Sequence, residues 1–452
     1  MDVARQNGLQ IRVIANGSNA SFVPGEDSIG SAFAAFVCVA TCLILWAASS
    51  RSDMPLYLWT IACGIFGLLF SRCDYLNPLV AFLVPWIGIT FFSTLELSRY
   101  ARPLSGKTYA VVWGIQFIAF VVYYVAAQKK APPSGGSKSE TVRSGRLWAL
   151  VVVYVLLTVF NVAAAGYVPL IRGILTGDTG YLEFGIHGIF GFYNAFANAL
   201  GLLAYFAFLQ TGRRLYVSIC VLICLVFLLF VNRQNILSML VQCTVLHCLL
   251  RGRINWKKLA ASLVLFLLAF SAAGEFRSGS IKEIAGIKDE YQYLPDPVIW
   301  IYAYSYFNVL NLDTIVVNPR VPFYDGSSLV DLLPSFMRPM IAHEGDDIDV
   351  AQLNVYSYVA PVYQDVGFFG TVIFTGGIIW WSVRSYQHAL QNGSFYSLSK
   401  YSVLFFCALF SFFVNLWFYL PVIFAIPILA SMSKYVLVPE ISVIPAFGSS
   451  QK

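Results

Sequence analysis

Charge is scarce in this sequence. Only 12% of its 452 residues are Asp, Glu, Lys or Arg, whereas 58% are hydrophobic and 16% aromatic, and the mean hydropathy is +0.70. A soluble domain carries about a quarter charged residues, so the composition excludes an ordinary soluble fold and makes lipid the solvent. No dense basic stripe is present, and the net charge of +6 therefore gives no nucleic-acid signal. The nine cysteines lie in apolar runs or at their edges, with none between 275 and 365, so no disulfide framework is implied. Phosphate loops, dinucleotide fingerprints, His-Glu-x-x-His and Cys-x-x-Cys pairs are all missing, and no metal or cofactor is expected. Cys243, His247 and Cys248 could share a helical face, but small thiols in an apolar helix ordinarily serve packing. Residues 1–29 lack the charged start and short apolar core of a cleaved signal peptide, so the first apolar run reads as a retained membrane helix.

What is present is a succession of apolar runs about 17 to 22 residues long, the length that spans a bilayer. About twelve are discernible, near 30–49, 54–72, 76–96, 108–128, 147–166, 186–209, 214–232, 235–250, 258–274, 366–388, 397–416 and 418–437. The expected fold is an all-α polytopic membrane protein. Lys129, Lys130, Lys138, Arg143 and Arg146 follow the fourth run, and Arg251, Arg253, Lys257 and Lys258 the eighth; the positive-inside rule makes both loops cytoplasmic. Alternation then puts both termini inside, with 18 of the 29 Lys and Arg on that side and 11 outside. Arg99, Arg102 and Lys107 are the main dissent. Residues 1–29 become a cytoplasmic N-terminus, 129–146 a cytoplasmic linker and 438–452 a cytoplasmic tail, while 167–186 and 275–365 face outward.

The segment 275–365 is the unusual one, holding 13 of the 23 acidic residues against five basic ones. It reads as short helices over the outer mouth of the bundle. The stretch 297–317 could instead be a thirteenth spanning helix, which would invert the C-terminal orientation and turn Arg384 and Lys434 outward. Charge favours the interfacial reading. On this outer side stand Arg172, Arg233, Arg277, Arg320 and Arg338, whose guanidinium forks suit phosphate oxygens, though snorkelling to lipid headgroups predicts the same placement. The stretch Ala342-His-Glu-Gly-Asp-Asp-Ile-Asp349 offers His343 and Asp346 as bases for a hydroxyl proton; a solvated acidic loop is the plainer reading. Its spacing does not match an EF-hand. Tyr302, Tyr324 and Tyr356 could stack on sugar rings, or belong to an interfacial aromatic belt.

The stretch Asn354-Val-Tyr-Ser-Tyr-Val-Ala-Pro-Val-Tyr-Gln-Asp-Val-Gly-Phe-Phe-Gly370 resembles the segment that closes the main periplasmic loop of Wzy-type O-antigen polymerases. Looser agreement is found at Ala165–Arg172, at Arg233 and at Gly274-Glu-Phe-Arg277. Ser357 stands where threonine is commoner, and Val366 where an aromatic often follows the aspartate. The resemblance implies a bundle like that of the C-type glycosyltransferases and O-antigen ligases, in a bacterial inner membrane with its active site facing the periplasm. Its implied substrates are undecaprenyl-pyrophosphate-linked glycan donors and acceptors among membrane lipids, and a chain-length regulator is an implied partner. Arg277 and Arg172 would contact pyrophosphate, supported by Arg233, Arg320 and Arg338, with His343 or Asp346 as base. An O-antigen ligase and a polysaccharide flippase are the alternatives. Asp365 matches the family-like segment, but an acid just before a helix is also an N-terminal cap.

Overall fold

The computed structural model describes residues 54–71, 74–129, 140–252 apart from 182 and 187, 279–319, 326–330, 332–333 and 356–439, with isolated positions in 35–43, 257–274 and 337–353. The chain is mostly helical. Its main helices are α1 (Met54–Phe70), α2 (Pro78–Ser93), α3 (Gly106–Gln128), α4 (Ser144–Ala165), α5 (Pro169–Thr176), α6 (Phe190–Thr211), α7 (Arg214–Leu229), α8 (Arg233–Arg251), α9 (Asp296–Val317), α10 (Val359–Asn392), α11 (Phe395–Leu409) and α12 (Ala425–Val436). Among the described residues, α3, α4 with α5, α6 and α10 are long and apolar enough to cross a membrane, and five further apolar helices are shorter.

Local chemistry sets the helix starts. Asn77 accepts from Leu79 N at 2.9 Å, Ser105 from Thr108 N at 3.2 Å and Ser394 from Ser397 N at 3.3 Å, satisfying amides that the first helical turn leaves without partners. Packing then divides the helices into faces. Leu200, Leu202, Leu203 and Phe206 of α6 are buried, whereas Val152, Leu156, Val159 and Phe160 of α4 are exposed. An unbroken apolar outer face on a helix this long is stable only against hydrocarbon.

Helices α3 and α10 run parallel. Gly114 lies against Phe368 and Val372, Gly376 against Val122 and Ile118, and Arg384 donates to the Lys129 carbonyl at 2.8 Å. Glycine at both crossings brings the two backbones close, the usual means of helix association in a membrane. One end of the bundle therefore gathers Lys129, Arg143, Arg146, Arg213, Arg251 and Arg384. There a two-stranded antiparallel sheet, β1 (Glu140–Val142) with β2 (Leu437–Pro439), ties the linker after α3 to the end of α12. The opposite end, acidic only relative to the first, carries Glu96, Asp178, Glu183, Glu283, Asp296 and Asp313 beside Arg102, Arg172, Arg233 and Lys282.

Helix α9 differs from the short helices expected over the bundle mouth. It is one continuous helix of 22 residues, packed at the acidic end against α2, α3 and α10. Its first half joins Leu97, Ile281 and Leu353 in a small second core, and its last turns enter the main core through Leu312, Ile315 and Val316. It does not reverse the chain, because α10 leaves from the end where α3 begins. The carboxylate of Asp313, 1% exposed, accepts from Arg102 at 2.6 Å and from Ser105 N and the Thr108 hydroxyl at 2.7 Å each. A buried acid thus balances one of the three cations that had dissented from the charge-based orientation.

Candidate functional site at the kink of α10

The family-like segment builds a broken helix. Tyr358 is fully buried, shares a 2.6 Å hydrogen bond with Thr375 and sets its ring edge against Phe82, which anchors the entry to α10 in the core. Nine residues later Gly367 has φ 63° and ψ −169°, a conformation essentially reserved for glycine. The break swings the first turns of α10 back over the rest, and Val366 then fills the space where a side chain at Gly370 would stand. The Gly-x-x-Gly pair therefore has two distinct causes: backbone conformation at the first position and steric room at the second.

Beside the kink lies a cavity of about 640 Å³, lined by Gly326, Leu329, Val362, Asp365, Val366, Gly370, Ile373, Phe374 and Phe418. Among the described residues its walls are apolar except for Asp365, which is 6% exposed. The carboxylate accepts from Ser328 N at 3.0 Å. It does not cap its own helix, as its position before Gly367 would suggest, but the first turn of the short helix Ser327–Val330, holding that segment over the cavity. Phe369 and Ile373 are 79% and 74% exposed, so the cavity opens beside an apolar outer surface.

The expected site residues fare differently. Arg277, Arg320, Tyr324, Arg338, His343 and Asp346 lie outside the described residues. Arg172 sits on α5 at the acidic end, paired with Asp178 at 2.7 Å and lying over the Tyr167 ring with its Cζ 4.6 Å from the centroid; this local pair leaves the guanidinium a third exposed. Arg233 is the first residue of α8, half-buried at the same end. Tyr302, expected as a sugar-stacking residue, is packed inside the protein. It is 0% exposed, its ring stacks on Tyr306, and its hydroxyl accepts from Ser98 N at 3.0 Å, which makes it a fastening between α9 and the α2–α3 connection. Tyr356 is half-buried against the main core just ahead of α10. His247, weighed as a metal ligand, shares a 3.0 Å hydrogen bond with the Tyr205 hydroxyl.

Two features escaped the sequence reading. The cavity joins residues 326–329, 362–374 and 418, and no periodicity brings those three segments together. The second is a group of buried amides between α6 and α8, signalled only by Asn194 and Asn198, one turn apart in an otherwise apolar helix. Comparison with protein-family models, with curated proteins and with solved structures finds no match.

Proposed function

We propose that this protein polymerises undecaprenyl-pyrophosphate-linked oligosaccharide repeat units at the periplasmic face of a bacterial inner membrane, through a bundle of about twelve transmembrane helices. The observation that carries the reading is the kink of α10. The segment resembling the Wzy-type polymerases forms a glycine-dependent break, an inward-turned acid and a cavity together, all at the acidic end of the bundle. The apolar walls and the adjoining exposed face suit the isoprenoid chain of a lipid-linked substrate, which reaches such a cavity sideways from the bilayer.

In the proposed reaction a hydroxyl of a new lipid-linked unit attacks the anomeric carbon of the growing glycan. The new C–O bond forms as the bond to the pyrophosphate breaks, and the hydroxyl proton passes to a base, for which His343 and Asp346 are the candidates. The departing pyrophosphate carries developing negative charge, which preorganised cations stabilise strongly in a water-poor site. Arg277, Arg172 and Arg233, with Arg320 and Arg338, are proposed for that role, and Asp365 as a positioning residue that holds the 326–330 segment at the cavity. A chain-length regulator is the proposed partner. An O-antigen ligase shares these features and differs in its acceptor.

Reconstitution tests the reading. The purified protein in liposomes with lipid-linked repeat units should yield a ladder of products extended by whole units, and Arg277→Ala should leave membrane insertion intact while abolishing the ladder. A full ladder from Arg277→Ala removes that residue from the mechanism, and no ladder from the wild-type protein contradicts the polymerase reading.

A further inference from the structure

Between α6 and α8 the apolar core encloses a row of uncharged polar groups. Asn194 and Asn198 of α6 meet the start of α8, where the Asn198 amide donates to Asn235 Oδ1 at 3.1 Å and the Asn232 amide to Asn194 Oδ1 at 3.4 Å. Further along the same face of α8, the Gln242 amide donates to Ser238 at 2.6 Å. Asn194, Asn198, Asn235, Ser238 and Gln242 are all at most 2% exposed. Their pairing is incomplete: among the described residues, Asn198 Oδ1, Asn235 Nδ2 and Gln242 Oε1 make no hydrogen bond. Unsatisfied amides at membrane depth are costly, and polar groups kept there mark ligand or ion paths.

The mouth of this seam is the turn between α7 and α8, at the acidic end. Val231 in that turn has φ 56°, a left-handed conformation that a β-branched residue adopts only under constraint. Arg233 follows at the first position of α8. The inner groups are one free amide nitrogen, with two N–H donors, and two free carbonyl oxygens, with no charge. Hydroxyl groups match that set, since each both donates and accepts, and the guanidinium at the mouth suits an anion.

We propose that the seam between α6 and α8 is a second ligand site, closed in this structure, which takes sugar hydroxyls of the acceptor repeat unit on Asn198, Asn235 and Gln242 while Arg233 meets the phosphate of its lipid anchor. The proposal rests on the polymerase reading, in which two lipid-linked molecules are held at once, one of them at the α10 kink and the other here. Opening the α7–α8 hairpin away from α6 exchanges amide–amide hydrogen bonds for amide–hydroxyl ones and releases the constraint at Val231.

The test uses the whole protein in liposomes with undecaprenyl-pyrophosphate-linked repeat units as probe. The double variant Asn198→Leu with Asn235→Leu removes two of the three unsatisfied amides and the hydrogen bond between them. It should melt at or above the wild-type temperature in detergent, because partnerless polar groups are replaced by apolar ones of similar size, and should extend glycan at least about tenfold more slowly, the loss expected for a hydrogen-bonded contact. Asn235→Ser keeps a small polar group, and its melting temperature checks that the fold is retained. It should raise KM for the repeat units about tenfold and leave kcat within about twofold. Wild-type rates and an unchanged KM in these variants overturn the seam alone. Failure of the wild-type protein to polymerise overturns the polymerase reading and the seam with it.

Discussion

Alanine at Gly370 should be tolerated only if Val366 loses its side chain entirely. A Cβ at position 370 would fall well inside van der Waals contact with Val366 Cβ and 2.5 Å from Val366 Cγ2. Because the contact includes Cβ itself, no rotamer of Val366 relieves it, and the first turns of α10 must shift. Overpacking of this kind costs about 1–3 kcal/mol. Val366→Ala keeps the offending Cβ and should rescue Gly370→Ala by less than about 0.5 kcal/mol, whereas Val366→Gly should recover most of the loss, within the usual range of coupling between touching residues. The assay is thermal unfolding in detergent across the double-variant cycle, read alongside polymer length in complemented cells. Equal rescue by the two Val366 variants, or no loss at all in Gly370→Ala, would refute the kink as the reason for the second glycine.

Other perturbations address the remaining parts. Gly367→Ala places a side chain at φ 63° and should cost about 1–3 kcal/mol together with polymer length, measured by melting and by glycan gel. Asp313→Ala removes three hydrogen bonds to a nearly inaccessible carboxylate and should destabilise the protein by about 3 kcal/mol; a shift below about 1 kcal/mol would mean that α9 is held in place by apolar packing alone. Asp74, in the loop between α1 and α2, accepts from the Tyr386 hydroxyl and Leu76 N, and burial raises its pKa above the ordinary carboxylate value. The folded state therefore binds this proton more tightly than the unfolded chain does, so stability should fall as pH rises through a window beginning near about pH 4. Asp74→Asn should flatten that dependence in melting curves, and a rise in stability over the same window would reverse the sign of the argument.

The membrane character and most helix positions were open to sequence reasoning because apolar runs and capping residues are local signals. The gathering of Lys129, Arg143, Arg146 and Arg251 at one end was legible for the same reason. The run at 418–437 was less so: Pro421 and the turn at Phe424 split it into Leu420–Ile423 and α12. The stretch that forms α9 reads as interfacial because Tyr302, Ser305, Asn308, Asn311 and Asp313 look like an exposed polar surface in one dimension. In the structure these groups are buried and reach partners on other segments, as when Asn311 donates to the Leu353 carbonyl at 2.8 Å and Asn308 to the Phe413 carbonyl at 3.2 Å. At the candidate site the glycines and Asp365 stood out in the sequence, yet which amide Asp365 binds depends on a segment 37 residues away. Tyr302 shows the converse, for an aromatic beside charges reads as a ligand platform until its ring is found buried against Tyr306 and its hydroxyl bonded to Ser98 N.

The most direct test of the central claim is the surface-glycan profile of a strain in which the gene for this protein is deleted. Loss of a polymerase leaves a single repeat unit on the lipid core, and that single band is the predicted result. A profile with no repeat unit at all would assign the protein to ligation, and an unchanged ladder of long chains would contradict the account.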